Sequence, residues 1–115
     1  MKLYIAKALI EDGMLCYVDD NDPVEVESFL GAHSTLEKAQ AFLTAVANKD
    51  REAENDLIDE NETGEAHLPE LELAWAHEPR DKYQHERWTS DVVEFANRDM
   101  RTKYQVILSS LDPVL

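Results

Sequence analysis

Cys16 is the only cysteine in the chain, so no intrachain disulfide can form and a small secreted scaffold stapled by disulfides is excluded. A reducing cytoplasm is the expected setting. The three glycines, Gly13, Gly31 and Gly64, are too scattered to build a phosphate-cradling loop or a dinucleotide fingerprint. Cations are scarce as well: 11 Lys and Arg face 25 Asp and Glu, a net charge of −14. Such a field repels nucleic acid and anionic membrane and speeds encounter with basic partners. Long apolar runs are also missing. The N-terminal "MKLYIAKALIED" is interrupted by Lys7 and closed by Glu11 and Asp12 without a small-residue cleavage site, so it does not read as a signal peptide. No later stretch approaches the length of a membrane span.

The usual catalytic spacings are lacking too. His77-Glu78 and His85-Glu86 are not followed by a second histidine at the helical spacing a zinc protease needs. Cys16 lies in a predicted strand, where a lone cysteine is ordinarily a small buried hydrophobe. Sequence alone connects no nucleophile, base and orienting group. The expectation is a protein that is not an enzyme and takes no cofactor and no metal.

What is present fits one folded domain over residues 1–115: 43% apolar residues and nine aromatics are enough for a single core. Leu3 to Ile10 reads as a strand that turns at Asp12-Gly13 and returns over Met14 to Val18. "DDNDP" then breaks the ladder, and "VEVESFL" alternates as a third strand with Val24, Val26 and Leu30 on one face. In "HSTLEKAQAFLTAVAN", Ser34 and Glu37 form a capping box. Leu36, Ala39, Phe42, Leu43, Val46 and Ala47 follow as one apolar helical stripe. Leu71, Leu73 and Trp75 alternate as a strand, and Tyr104, Val106 and Leu108 mark the last one. Between them, "SDVVEFANRDMR" reads either as a helix capped by Ser90, with Val92, Val93, Ala96 and Met100 inward, or as a strand ending at Phe95. The fold class is α+β: a small antiparallel β-sheet with one or two helices packed on one face.

Half of the net charge, −7, falls in "DREAENDLIDENETGE" at residues 50–65, which is either a helical extension or a loop. As a helix it would stack Glu52, Asp56 and Glu60 at i, i+4 and i+8, with Asp59 beside them. That spacing of about 6 Å per step is comparable to the separation of phosphates along a DNA strand. Like charges so placed destabilise an isolated helix, and a basic groove would reverse that sign. As a loop the run is simply solvated. Asp19, Asp20 and Asp22, with Glu25 and Glu27, would enlarge an acidic face if the fold brings them to the same side.

Two further surfaces compete with it. Asp59 to Glu70 imitates part of an EF-hand loop, with Asp59, Asn61, Thr63, Gly64 and Glu70 at positions one, three, five, six and twelve. Ala66 and Pro69 depart from that pattern. The tract from Trp75 to Trp88, with Arg80, Tyr83 and Arg87, holds the residue types that anchor protein interfaces.

In size, charge and outline the chain resembles small acidic phage-encoded inhibitors of host nucleases and CRISPR effectors. The resemblance carries no diagnostic motif and assigns no residue. It implies a non-enzymatic inhibitor that occupies the basic, nucleic-acid-binding surface of a partner protein; the charge pattern, independently, puts forward Glu52, Asp56, Asp59, Glu60, Asp19, Asp20 and Asp22 as the contacting residues. The alternatives are an immunity-type protein that covers a toxin's active site through Trp75, Arg80, Tyr83, Arg87 and Trp88, and a calcium-binding module.

Overall fold

The computed structural model describes residues 2–16, 23–61, 66–82, 85–95 and 100–110. Their chain order is β1 (Lys2–Cys16), β2 (Pro23–His33), α1 (Leu36–Asn61), β3 (Trp75–Glu78), β4 (Arg87–Ser90), β5 (Val93–Phe95) and β6 (Met100–Ser110). All strands join one antiparallel sheet in the order β2-β1-β6-β4-β3, with β5 pairing β6 beyond the end of β4. The described fold is thus α+β, with one helix on a six-stranded sheet.

The alternation of β1 sorts the sheet into two faces. Tyr4, Ala6, Ala8 and Ile10 lie on the helix side, opposite Leu108, Val106, Tyr104 and Thr102 of β6. Ala39, Leu43 and Ala47 of α1 complete that core together with Val93. The four alanines present little bulk between the layers, so the helix seats closely on β1, while Leu43, Tyr104 and Val106 supply the volume. Burying each of these larger side chains contributes about 1.5–3 kcal/mol.

Several local expectations are corrected. Asp12 and Gly13 make no turn, because β1 continues to Cys16 and Asp12 is laddered on both sides, to Val24 of β2 and Met100 of β6. A turn there would break both ladders. Instead the register shifts between Asp12 and Cys16, so Gly13 sits at an irregularity of the strand, a common place for glycine in a sheet. The hairpin partner of β1 is β2, which begins at Pro23 and runs on to His33. A second register shift skips Leu30, which packs against the core, while Phe29 points to the opposite face and is 68% exposed. Val26 is opposite Ile10 but 44% exposed, so the expected apolar face of β2 is only partly covered.

The helix begins at Leu36, and its first-turn acceptor is Thr35, whose Oγ1 takes the Lys38 amide at 3.2 Å. The N-cap expected at Ser34 is therefore displaced by one residue, and Lys38, having no acceptor, cannot return the second bond of the capping box expected of Ser34 and Glu37. Ser34 Oγ instead receives the Lys38 ammonium at 3.4 Å. At the second ambiguous segment the strand reading holds as β5. Ser90 is no helix cap: it ends β4, buried, accepting the Tyr104 amide at 2.9 Å and donating to the Asp91 carbonyl at 2.8 Å.

Residues 70–74 form no strand. Leu71 and Leu73 do alternate inward and Glu70, Glu72 and Ala74 outward, but the Leu71 backbone bonds to the Asn48 side chain of the helix and to no described strand, and β3 starts only at Trp75.

An acidic helical face braced by asparagines

The 26 residues of α1 carry the chain through most of the acidic run, although Asp59 and Glu60 crowd the negative end of the helix dipole and its last turn holds no basic residue. What holds the helix there is its own polar side chains on the flank that meets residues 66–74. Asn48 donates to the Leu71 carbonyl at 3.1 Å and accepts the Leu71 amide at 2.6 Å. Asn55 repeats the motif at Leu68, with bonds of 3.1 and 2.7 Å. Between them Arg51 reaches the Pro69 carbonyl at 3.4 Å and pairs with the buried Glu54 at 3.3 Å. The spacing explains why this works. Seven helical residues advance about 10.5 Å, and three extended residues about 10 Å. The two asparagines and the two leucines therefore meet in step.

This bracing leaves the adjoining flank to solvent. Glu52, Asp56, Asp59 and Glu60 are all exposed, and at 3.6 residues per turn they fall within an arc of about 100°. Glu52, Asp56 and Glu60 form no ion pair among the described residues. Asp59 lies 2.7 Å from His67 Nε2. Glu70 and Glu72 extend the acidic surface along the segment beside the helix, both exposed. The structure thus brings together four of the seven expected acidic residues. Asp19, Asp20 and Asp22 lie outside the described residues.

The aromatic tract does not form one surface. Trp75 and Trp88 are half-buried against the core, Trp88 lying 6.0 Å from Tyr4 and stacked on His77 at 5.1 Å. Arg87 points to the other face of the sheet, where its Nε meets Glu78 at 2.7 Å. Arg80 is exposed beyond the end of β3, and Tyr83 lies outside the described residues. Strand alternation also separates His77 from Glu78, His77 bonding to Glu86 at 2.7 Å.

Asp59 and Asn61, the first two liganding positions of the calcium-loop pattern, are inside α1 rather than in a loop. Among the described residues no group of three or more His, Cys, Asp or Glu is arranged to hold a metal ion. No described helix is long and apolar enough to cross a membrane. A shallow cavity of about 250 Å³ opens on the sheet face away from α1, lined by Leu9, Glu11, Val92, Arg101 and Lys103. Sequence reasoning missed Asn48, Asn55 and Arg51. Two asparagines two turns apart inside a helix were the available signal, since asparagine is a poor helix former that needs a tertiary reason to be there.

In comparisons with known proteins, no family model, no curated protein and no solved structure matches the chain.

Proposed function

We propose that the protein is a non-enzymatic binding protein whose acidic helical face docks on a basic, nucleic-acid-binding surface of a partner protein and so inhibits it. The observation that carries this reading is the division of labour on α1. Asn48, Arg51, Glu54 and Asn55 are spent on bracing the helix, while Glu52, Asp56 and Glu60 are exposed and form no ion pair among the described residues. Three like charges one turn apart destabilise a helix by a few tenths of a kcal/mol per pair. A cationic groove would turn that repulsion into attraction, and a braced helix presents the charges without an ordering cost at binding. The resemblance to phage-encoded, anti-CRISPR-type inhibitors accords with this. A cytoplasmic setting also fits, since Cys16 would remain a thiol there. The aromatic tract is the weaker docking surface, because both tryptophans are committed to the core.

The test is a triple replacement of Glu52, Asp56 and Glu60 by Gln. Partners captured from a host lysate supply the binding assay, with nucleic acid as the competitor. The variant should bind more weakly, chiefly through slower association, and the deficit should shrink as salt rises. Unchanged binding at low salt, or a partner that binds nucleic acid and this protein at the same time, would sink the reading.

A further inference from the structure

The face of the sheet turned away from α1 has no covering layer among the described residues. Strand register places Leu3, Ile5 and Leu9 of β1, Phe29 of β2 and Ile107 of β6 together on it. Phe29 is the most exposed large apolar side chain described, at 68%. Around this apolar centre lie charges that are already paired across strands: Lys7 with Glu27 at 3.1 Å, Arg87 with Glu78 at 2.7 Å and Arg101 with Glu94 at 3.2 Å. Adding Lys103 and Glu11 gives four cations and four carboxylates among the side chains described on this face. These charges balance, and the register sets Glu25 opposite Glu11 as one further carboxylate, so the face is close to balance on a chain whose net charge is −14. An apolar centre with a paired polar rim is the anatomy of a protein interface.

We infer that this face is a homodimer interface, on which two copies stack sheet against sheet with their acidic helices outward. Charge selects the occupant. Two strongly anionic copies repel each other through any acidic surface, and the nearly balanced face is where they can approach closely. A mixed-sign face of this kind can also complement itself under a two-fold axis, as an isologous interface requires. Size agrees as well. The 11 paired positions of β1 and β6, taken across four strands, cover about 37 by 19 Å, or roughly 700 Å². A standard stable interface uses about 800 Å² per partner. Stacking on the face is favoured over pairing at the β2 edge, which is guarded by Pro23, by Glu27 and by the register shift at Leu30.

The experiment is sedimentation of the purified wild-type chain and of Phe29→Asp over a concentration series at low and moderate salt, with circular dichroism to check the fold. The wild type should sediment as a dimer whose affinity rises with salt, because screening relieves the repulsion between two anionic bodies. That is the opposite salt response to docking on a basic partner, so the two readings fail separately. Phe29→Asp should be a folded monomer. A second readout needs no variant: on dilution of the wild type, methyl resonances of Ile5, Leu9 and Ile107 should move while those of Leu43 and Val106 stay put. A wild type that remains monomeric at every concentration, a dimer that Phe29→Asp leaves intact, or methyl shifts confined to the helix side would overturn the inference.

Discussion

The Thr35 hydroxyl oxygen accepts the Lys38 amide and satisfies one of the four first-turn donors of α1, whereas Ser34 meets only an exposed ammonium. Thr35→Ala should therefore cost about 1 kcal/mol in urea unfolding, and Ser34→Ala distinctly less. Equal losses would place the helix start elsewhere. Tyr104 makes a second prediction at this scale. Its phenol has a raised pKa, first because burial beneath α1 penalises the phenolate and second because the carboxylate of Asp50 is near. The folded state then holds that proton more tightly than the unfolded state does. The stability this contributes is complete below the unfolded tyrosine pKa of about 10. It is lost as pH rises above that value. An alkaline unfolding transition should follow, and Tyr104→Phe should flatten it; an unchanged alkaline limb would mean that other groups control it.

At the scale of elements, α1 and residues 66–74 form one unit tied by asparagine side chains. Asn48→Ala removes both bonds to Leu71 and strands its amide and carbonyl against the helix. A loss of about 1–3 kcal/mol is expected in chemical denaturation. Asn48→Asp should recover only part of this, because it keeps the acceptor for the amide but turns a second acceptor toward the carbonyl. If Asn48→Ala were neutral, the bracing described here would be incidental. The same unit marks where sequence reading succeeds and where it stops. The apolar stripe Leu36 to Ala47 and the alternation in β6 were legible because burial on one face writes a period into the residues themselves. The alternation of Leu71 and Leu73 was equally legible, yet it predicted a strand, since periodicity reports which side is buried and not what the backbone bonds to. The Asp12-Gly13 pair misled for a related reason. A local turn signal carries no knowledge of the ladders that β2 and β6 impose on both sides. Four residues of the acidic site were readable as a helical stripe, but whether the helix would persist through the acidic run depended on partners 23 and 13 positions away in the chain.

For the molecule as a whole, the described residues divide their charge between a nearly balanced sheet face and an acidic helix side. Screening should stabilise the free protein, so its melting temperature should rise with moderate salt, and the triple Gln variant at Glu52, Asp56 and Glu60 should show a smaller rise. A salt response identical in the two proteins would place the dominant repulsion outside α1. The asparagine braces have a further consequence for motion. The terminal turns of a helix ordinarily fray alone, exchanging their amide hydrogens through small, independent openings. Here the last turns of α1 are fastened to a segment whose far end passes directly into β3, where the Ala74 amide and carbonyl both bond to Asp91. Opening the acidic end of α1 therefore means releasing that segment as well, and with it the outer edge of the sheet. The amides from Glu52 to Asn61 are thus expected to exchange in the same cooperative step as those of β3 and β4, which makes the charged face part of a rigid foldon instead of a loose tail.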